Sequence, residues 1–229
     1  MDKIFRSMLL VALLFTLSVS TTAFCSGEFM PTWKVGDNWM IEAKYRNLIS
    51  QENEWLPPVT WKFSVRSEKV INGEPCWVLH ISPVKRGKLK VQAVLFLSKK
   101  DLHTVKKIDI FPVKGKAQAK AKEFNAARPS PLFSDESMIP YDLPVFPLSA
   151  AVKENDANST SVGLERAVSV DNITFVDKVA QSWKPVNGGF EISLHDPDAK
   201  GEIKQIWKEN APWAVSMNSN SVQYQLIQK

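Results

Sequence analysis

Apolar and polar side chains alternate with a period of two through most of the chain, the signature of half-buried β-strands. Trp39, Ile41, Ala43 and Tyr45 share one side of a first segment, while Glu42, Lys44 and Arg46 take the other. Val59, Trp61, Phe63 and Val65 repeat the pattern. Asn72-Gly73 then predicts a tight hairpin turn, because these residues tolerate the positive φ such a turn requires. The returning segment Cys76–Ser82 sets Trp77, Leu79 and Ile81 on one face. After a turn at Lys85–Lys88, the run Leu89–Ser98 is apolar enough to be buried on both faces. Lys99-Lys100-Asp101 turns the chain into Leu102–Phe111. Polar residues at every second position of Val113–Ala121 favour a strand there, over the helix its alanines suggest.

The texture changes near Asn125. Five prolines fall within Arg128–Pro147, and proline removes the N–H that a central strand must donate. Residues 125–150 therefore form a long irregular segment. Its Met138, Ile139, Tyr141, Leu143, Val145 and Phe146 are too apolar for a solvated linker, so it is expected to lie against an apolar surface. Strands resume at Val162–Val170 and Thr174–Trp183. Asn187-Gly188-Gly189 closes a second hairpin, with Phe190, Ile192 and Leu194 facing one way. Glu202–Lys208, Trp213–Met217 and a last segment with Val222, Tyr224 and Leu226 complete the series. Strands joined by short turns, with no long helix, predict a mainly β fold. The expected form is a curved antiparallel sheet or half-barrel, one domain over residues 24–229, covered by the Pro-rich segment.

Residues 1–23 belong to a different class. Lys3 and Arg6 precede the 12-residue apolar run Met8–Val19, and Ser20–Ala23 are small; these are the parts of a secretory signal peptide. The run is too short for a spanning helix of about 20 residues. Export to the periplasm, the outer-membrane region or the medium is the expectation. It bears on the two cysteines in one of two ways. Cys25 and Cys76 would pair as a disulfide in an oxidising compartment, or Cys25 would be lipidated in a loose lipoprotein box, Thr22-Ala23-Phe24-Cys25, leaving Cys76 as a buried thiol. The two outcomes exclude each other.

No motif assigns a reaction. His80, His103 and His195 fall on separate strands without the clustering of metal ligands, and Asp196-Pro197-Asp198 suits a turn. Ser82–Lys85 has a serine–lysine spacing but none of the companion motifs of the enzymes that use it. The reading is of a protein that is not an enzyme, without cofactor or metal and without nucleic acid as partner.

Charge and aromatic content narrow the remaining options. Lys85–Lys122 carries 12 Lys or Arg against two Asp, a local +10, where the whole chain carries +5. Such a patch either attracts an anionic membrane surface or solvates a sheet face and guards its edge. Eight tryptophans divide by phase: Trp39, Trp61 and Trp77 point inward, while Trp33, Trp55 and Trp213 stand beside turns and are candidates for outward presentation to carbohydrate.

Trp33-Lys-Val-Gly-Asp-Asn-Trp39 entering a strand, the repeated hairpins, and the late Ile206-Trp207 and Ala211-Pro212-Trp213 resemble exported bacterial β proteins of uncharacterised type. More distantly, the layout is similar to the periplasmic lipoprotein-carrier and lipoprotein-receptor fold. That resemblance implies a curved sheet around an apolar concavity with a lid across it. The expected guest is a lipid or acylated protein, held by Trp61, Phe63, Trp77, Leu79 and Ile81 beneath Met138, Tyr141 and Phe146. The alternatives are an envelope interaction component with a solid core, or a carbohydrate-binding module.

Overall fold

A computed structural model describes residues 29–47, 49, 54–85, 91–124, 131–134, 138–148, 161–170, 173–196 and 201–228. The signal peptide expected over residues 1–23 and Cys25 lie outside them. Twelve strands make one antiparallel sheet: β1 (Asn38–Tyr45), β2 (Val59–Ile71), β3 (Glu74–Pro83), β4 (Gln92–Ser98), β5 (Thr104–Val113), β6 (Lys116–Glu123), β7 (Ser161–Val170), β8 (Ile173–Val186), β9 (Gly189–Asp196), β10 (Gly201–Lys208), β11 (Ser216–Asn218) and β12 (Val222–Gln228). Their order is β6-β5-β4-β3-β2-β1-β12-β11-β10-β9-β8-β7. Two six-stranded meanders are thus joined by the pairing of the first strand with the last, Ala43 opposite Tyr224. The edges are β6 and β7, which flank the Pro-rich segment in sequence. The sheet stays open where that segment begins and ends.

The turns follow from residue type. Asn72 and Gly73 both take positive φ, 51° and 83°, and Ile71 pairs with Glu74 across them. This is the two-residue hairpin that Asn-Gly favours. Lys114 and Gly115 repeat the geometry between β5 and β6. The strand expected over Val113–Ala121 is thus divided, Val113 ending β5 and Lys116 opening β6, because the Lys114-Gly115 pair reverses the chain.

Alternation then decides burial. Trp39, Ile41, Ala43 and Tyr45 are buried along β1, as are Trp61, Phe63 and Val65 along β2 and Leu79 and Ile81 along β3. The run through β4 is covered on both faces, as its composition predicts. Ala93, Leu95 and Leu97 belong to the main core, whereas Phe96 joins Cys76, Val78 and Val105 in a second cluster. Cys76 has no disulfide partner among the described residues, and burial pushes its thiol pKa up, with the Glu74 charge adding to the effect.

The expected strand Trp213–Met217 shrinks to β11, Ser216–Asn218. Trp213 sits in the preceding bend and is fully buried, and Trp33 is buried as well. Outward presentation of these two to a sugar is therefore corrected. Trp33 donates from Nε1 to the Pro212 carbonyl at 2.8 Å, which brings the two turns together and folds both indoles into the core. Trp55 remains half-buried, with the Arg46 guanidinium 5.8 Å from its ring centre.

Candidate functional site

The inner row of the first meander supplies one wall of an apolar cup. Trp61, Phe63, Leu79 and Ile81, all expected there, are 0% exposed. Trp77 stands at the margin, half-buried against the same core, with the Lys99 ammonium 4.3 Å from its ring centre. The second meander contributes Ile192, Leu194, Ile203 and Trp207. A ladder of rings crosses the cup: Trp33 on Trp39 at 5.6 Å, Trp39 on Trp213 at 5.8 Å, Phe63 on Trp213 at 5.1 Å and Trp207 on Trp213 at 5.6 Å. These centroid distances lie in the range where aromatic pairs attract beyond their area burial.

Residues 131–134 and 138–148 of the Pro-rich segment fill this cup as a strap. Leu132 and Leu143 bridge each other through two backbone hydrogen bonds of 2.8 and 2.9 Å, so the strap is itself a small hairpin. Ile139, Tyr141, Phe146 and Leu148 are 0% exposed. A void large enough for a water-sized sphere would give its wall atoms some accessible surface. Trp61, Phe63, Leu79, Ile81 and Trp207 on the sheet and these four strap residues are at zero, so no such void touches them. The hollow exists, and the chain's own strap occupies it. Met138 is the exception among the expected lining residues. It is 49% exposed and takes positive φ at the strap's outer bend, so it does not line the cup.

Polar keys fix the strap in register. Gln181 accepts from the Val145 N–H at 2.8 Å and donates to the Val145 carbonyl at 3.1 Å, as a neighbouring strand would. Gln205 donates to the Asp142 carbonyl at 2.8 Å and accepts from Trp207 Nε1 at 2.9 Å. Asp142 in turn accepts from the Ser134 N–H and hydroxyl at 2.7 and 2.8 Å. Lys107, buried on β5, donates to the Tyr141 hydroxyl at 3.0 Å and lies 3.4 Å from Asp109, and Tyr141 donates to Asp109 at 3.2 Å. Burial holds the phenols of Tyr45 and Tyr224 well above the ordinary tyrosine value. Both stay neutral, as an apolar interior requires.

Tyr141 is among the residues expected from sequence; Gln181, Gln205, Asp142, Lys107 and Asp109 are not. The signal was present: Gln181 shares the phase of buried Val179, Gln205 falls between Ile203 and Trp207, and Lys107 lies opposite Leu95. A polar residue in an inward row needs a partner, but the strap that supplies it is tens of residues away. Gln181→Leu is expected to leave both Val145 backbone groups buried and unpaired. At about 1–3 kcal/mol for each orphaned group, the loss should be roughly 2–6 kcal/mol in urea unfolding. Gln181→Glu, which keeps the acceptor, should lose less. Equal stability of wild type and Gln181→Leu would mean the strap is not held by this contact.

The basic region divides on inspection. Lys107 is in the core, Lys99 pairs with Glu68 at 2.9 Å, and Lys106 pairs with Glu123 at 2.8 Å. Lys114, Lys116 and Lys120 are exposed on the β5–β6 hairpin, at the edge of the sheet. Residues 86–90 lie outside the described residues. Comparison of the chain with known protein families, with curated proteins and with solved structures finds no match.

Proposed function

We propose that this is an exported cell-envelope protein that acts through its outer surface, as an interaction component, and not as a carrier with an open hollow. The observation that carries this reading is the strap. The apolar cup, the natural seat for an acyl chain, is already filled by Ile139, Tyr141, Phe146 and Leu148. An incoming lipid would have to expel them and strand the buried polar groups of Gln181, Gln205, Lys107 and Asp109. Each orphaned group costs about 1–3 kcal/mol, more when charged. Apolar burial of the guest, about 25 cal/mol per Å², only replaces what the strap already contributes. The resemblance to the carrier and receptor fold then extends to the layout of the sheet and not to the cargo.

The N-terminal segment supports export, and the β5–β6 hairpin supplies the surface. Lys114, Lys116 and Lys120 project from it, with Phe111 and Val113 half-buried beside them. Lysines near an anionic membrane surface each contribute about 1 kcal/mol. The mature protein should therefore sediment with vesicles containing phosphatidylglycerol and not with pure phosphatidylcholine, and added salt should release it. Charge reversal at Lys114, Lys116 and Lys120 should abolish the binding while leaving the unfolding midpoint within experimental scatter. Native mass spectrometry should give the protein mass without co-purifying lipid. A stoichiometric acyl lipid, lost when Gln181→Leu loosens the strap, would instead restore the carrier reading.

A further inference from the structure

Away from the strap, one side chain from the start of β3 meets two from the turn between β4 and β5, 27 residues on. Antiparallel pairing does this. Cys76 lies opposite Ser98 and Leu97 opposite Thr104, so the start of β3 abuts the Lys99–His103 turn. The donor atoms of Glu74, Asp101 and His103 all lie within 4.8 Å of one another. The turn is shaped to present them. Leu102, a buried residue, takes φ of 56°, a left-handed conformation that costs a non-glycine residue about 1–2 kcal/mol. Its N–H donates to the Ser98 carbonyl at 2.9 Å, which closes the turn and aims Asp101 and His103 to the same side.

The imidazole is held by Asp101 on one side and faces the Glu74 carboxylate on the other. His103 Nδ1 contacts Asp101 Oδ1 at 2.5 Å, and the His103 backbone N–H donates to the same oxygen at 3.2 Å. His103 Nε2 is buried in a side chain only 7% exposed, has no hydrogen bond of good geometry, and faces Glu74 as a long ion pair. The nearest carboxylate oxygen, Glu74 Oε2, is 3.4 Å away. That is beyond the usual 2.7–3.2 Å of an N–H···O bond. It is the separation expected across a metal ion. Bonds of about 2.0–2.1 Å to a nitrogen and an oxygen that far apart subtend about 110°, the tetrahedral angle. A carboxylate on Nδ1 is also the usual outer partner of a ligating histidine, fixing the tautomer that offers Nε2. Glu74 and Ser98 also line a cleft of about 380 Å³, together with Asn72, Gly73, Pro75, Lys99 and Lys100.

We propose that His103 Nε2 and Glu74 form a divalent transition-metal site, with Asp101 as the positioning residue behind the histidine and water completing the coordination. Imidazole and carboxylate together suit zinc and its neighbours. The ion would clamp the start of β3 to the β4–β5 turn. The site is independent of the strap and of the basic hairpin. A proton is the competitor. Burial alone lowers the His103 pKa, but the Asp101 hydrogen bond and charge, with the charge and side-chain contact of Glu74, raise it overall. The metal must displace that proton, so binding strengthens as pH rises.

The test uses ¹⁵N-labelled mature protein, stripped with a chelator and titrated with zinc chloride while the imidazole nitrogens are followed by NMR. One equivalent should shift His103 Nε2 to saturation and leave His80, already bonded to Gln92 at 2.9 Å, and His195 unmoved. Glu74→Gln, at the solvent edge, should keep the wild-type fold and lose this response. Asp101→Asn should weaken binding about 10–100-fold, the usual effect of removing such a partner. If zinc leaves the His103 signals in place while the ring only gains and loses a proton, the three residues are an ion triad and the proposal fails. Unchanged affinity in Glu74→Gln would also overturn it.

Discussion

Trp213→Ala is expected to remove about 3–5 kcal/mol of stability, the usual cost of deleting a buried tryptophan. That is a large share of the roughly 5–15 kcal/mol that holds a domain together. Trp213 touches the rings of Trp33, Trp39, Phe63 and Trp207. Those rings come from the entry to β1, from β1 itself, from β2 and from β10. Its indole therefore ties the first meander to the second near the β1–β12 seam. Its neighbours are large, rigid and themselves packed, so the hole cannot collapse cheaply. The urea midpoint should fall with the slope unchanged, because the surface exposed on unfolding stays nearly the same. Trp213→Phe, which refills most of the volume, should cost less than half as much. A loss below about 1 kcal/mol for the alanine variant would contradict the ring ladder, since only a site that closes over the deletion gives so small a value.

Where the signal was local, the fold was legible in the sequence. Alternation placed most of the strands, and Asn72-Gly73 and Asn187-Gly188 marked two hairpins, because side-chain phase and positive φ are properties of adjacent residues. The apolar texture of residues 138–146 likewise required a greasy surface beneath them, and the strap lies on one. What the sequence withheld was non-local. Trp33 and Trp213 stand beside turns, where exposure is common, yet the hydrogen bond from Trp33 to Pro212 spans 179 positions and turns both inward. No window of neighbouring residues contains that contact. Glu74, Asp101 and His103 show the same limit, since spacings of 27 and two residues match no ligand motif and only strand pairing makes them neighbours.

Whether the hollow was empty could not be read from composition either. An apolar segment next to an apolar sheet is compatible with a lid over a cavity or with a plug inside it. The difference lies in how the segment is keyed. A lid that opens needs a rim whose bonds water can replace, whereas Gln181, Gln205 and Asp142 are almost wholly buried and bind the strap's backbone or its turn. The open edges at β6 and β7 fit this arrangement, because the chain leaves the sheet at one edge, crosses the interior and returns at the other.

Gly189→Ala tests how tightly that interior is set against the sheet. A Cβ at Gly189 would stand 1.9 Å from the Trp207 carbonyl oxygen and 2.9 Å from Lys208 Cα. Both are backbone atoms of the paired strand, so no side chain can swing aside. The ladder from Gly189–Lys208 to Phe190–Trp207 would have to open, displacing Trp207 from the ring ladder and Gln205 from the Asp142 carbonyl. A loss of roughly 3 kcal/mol or more is expected, the upper end for overpacking and in the range tied to a specific structural conflict. Gly188→Ala is the control one residue earlier. Gly188 has φ of 71° and nothing within 4 Å of its would-be Cβ, so only left-handed strain of about 1–2 kcal/mol opposes the substitution. The two variants add the same methyl group to the same turn, so a difference of at least about 1 kcal/mol in urea unfolding isolates the contact with β10. Equal losses would show that β9 and β10 separate there without cost, and that the strap's hold on Gln205 does not depend on this register.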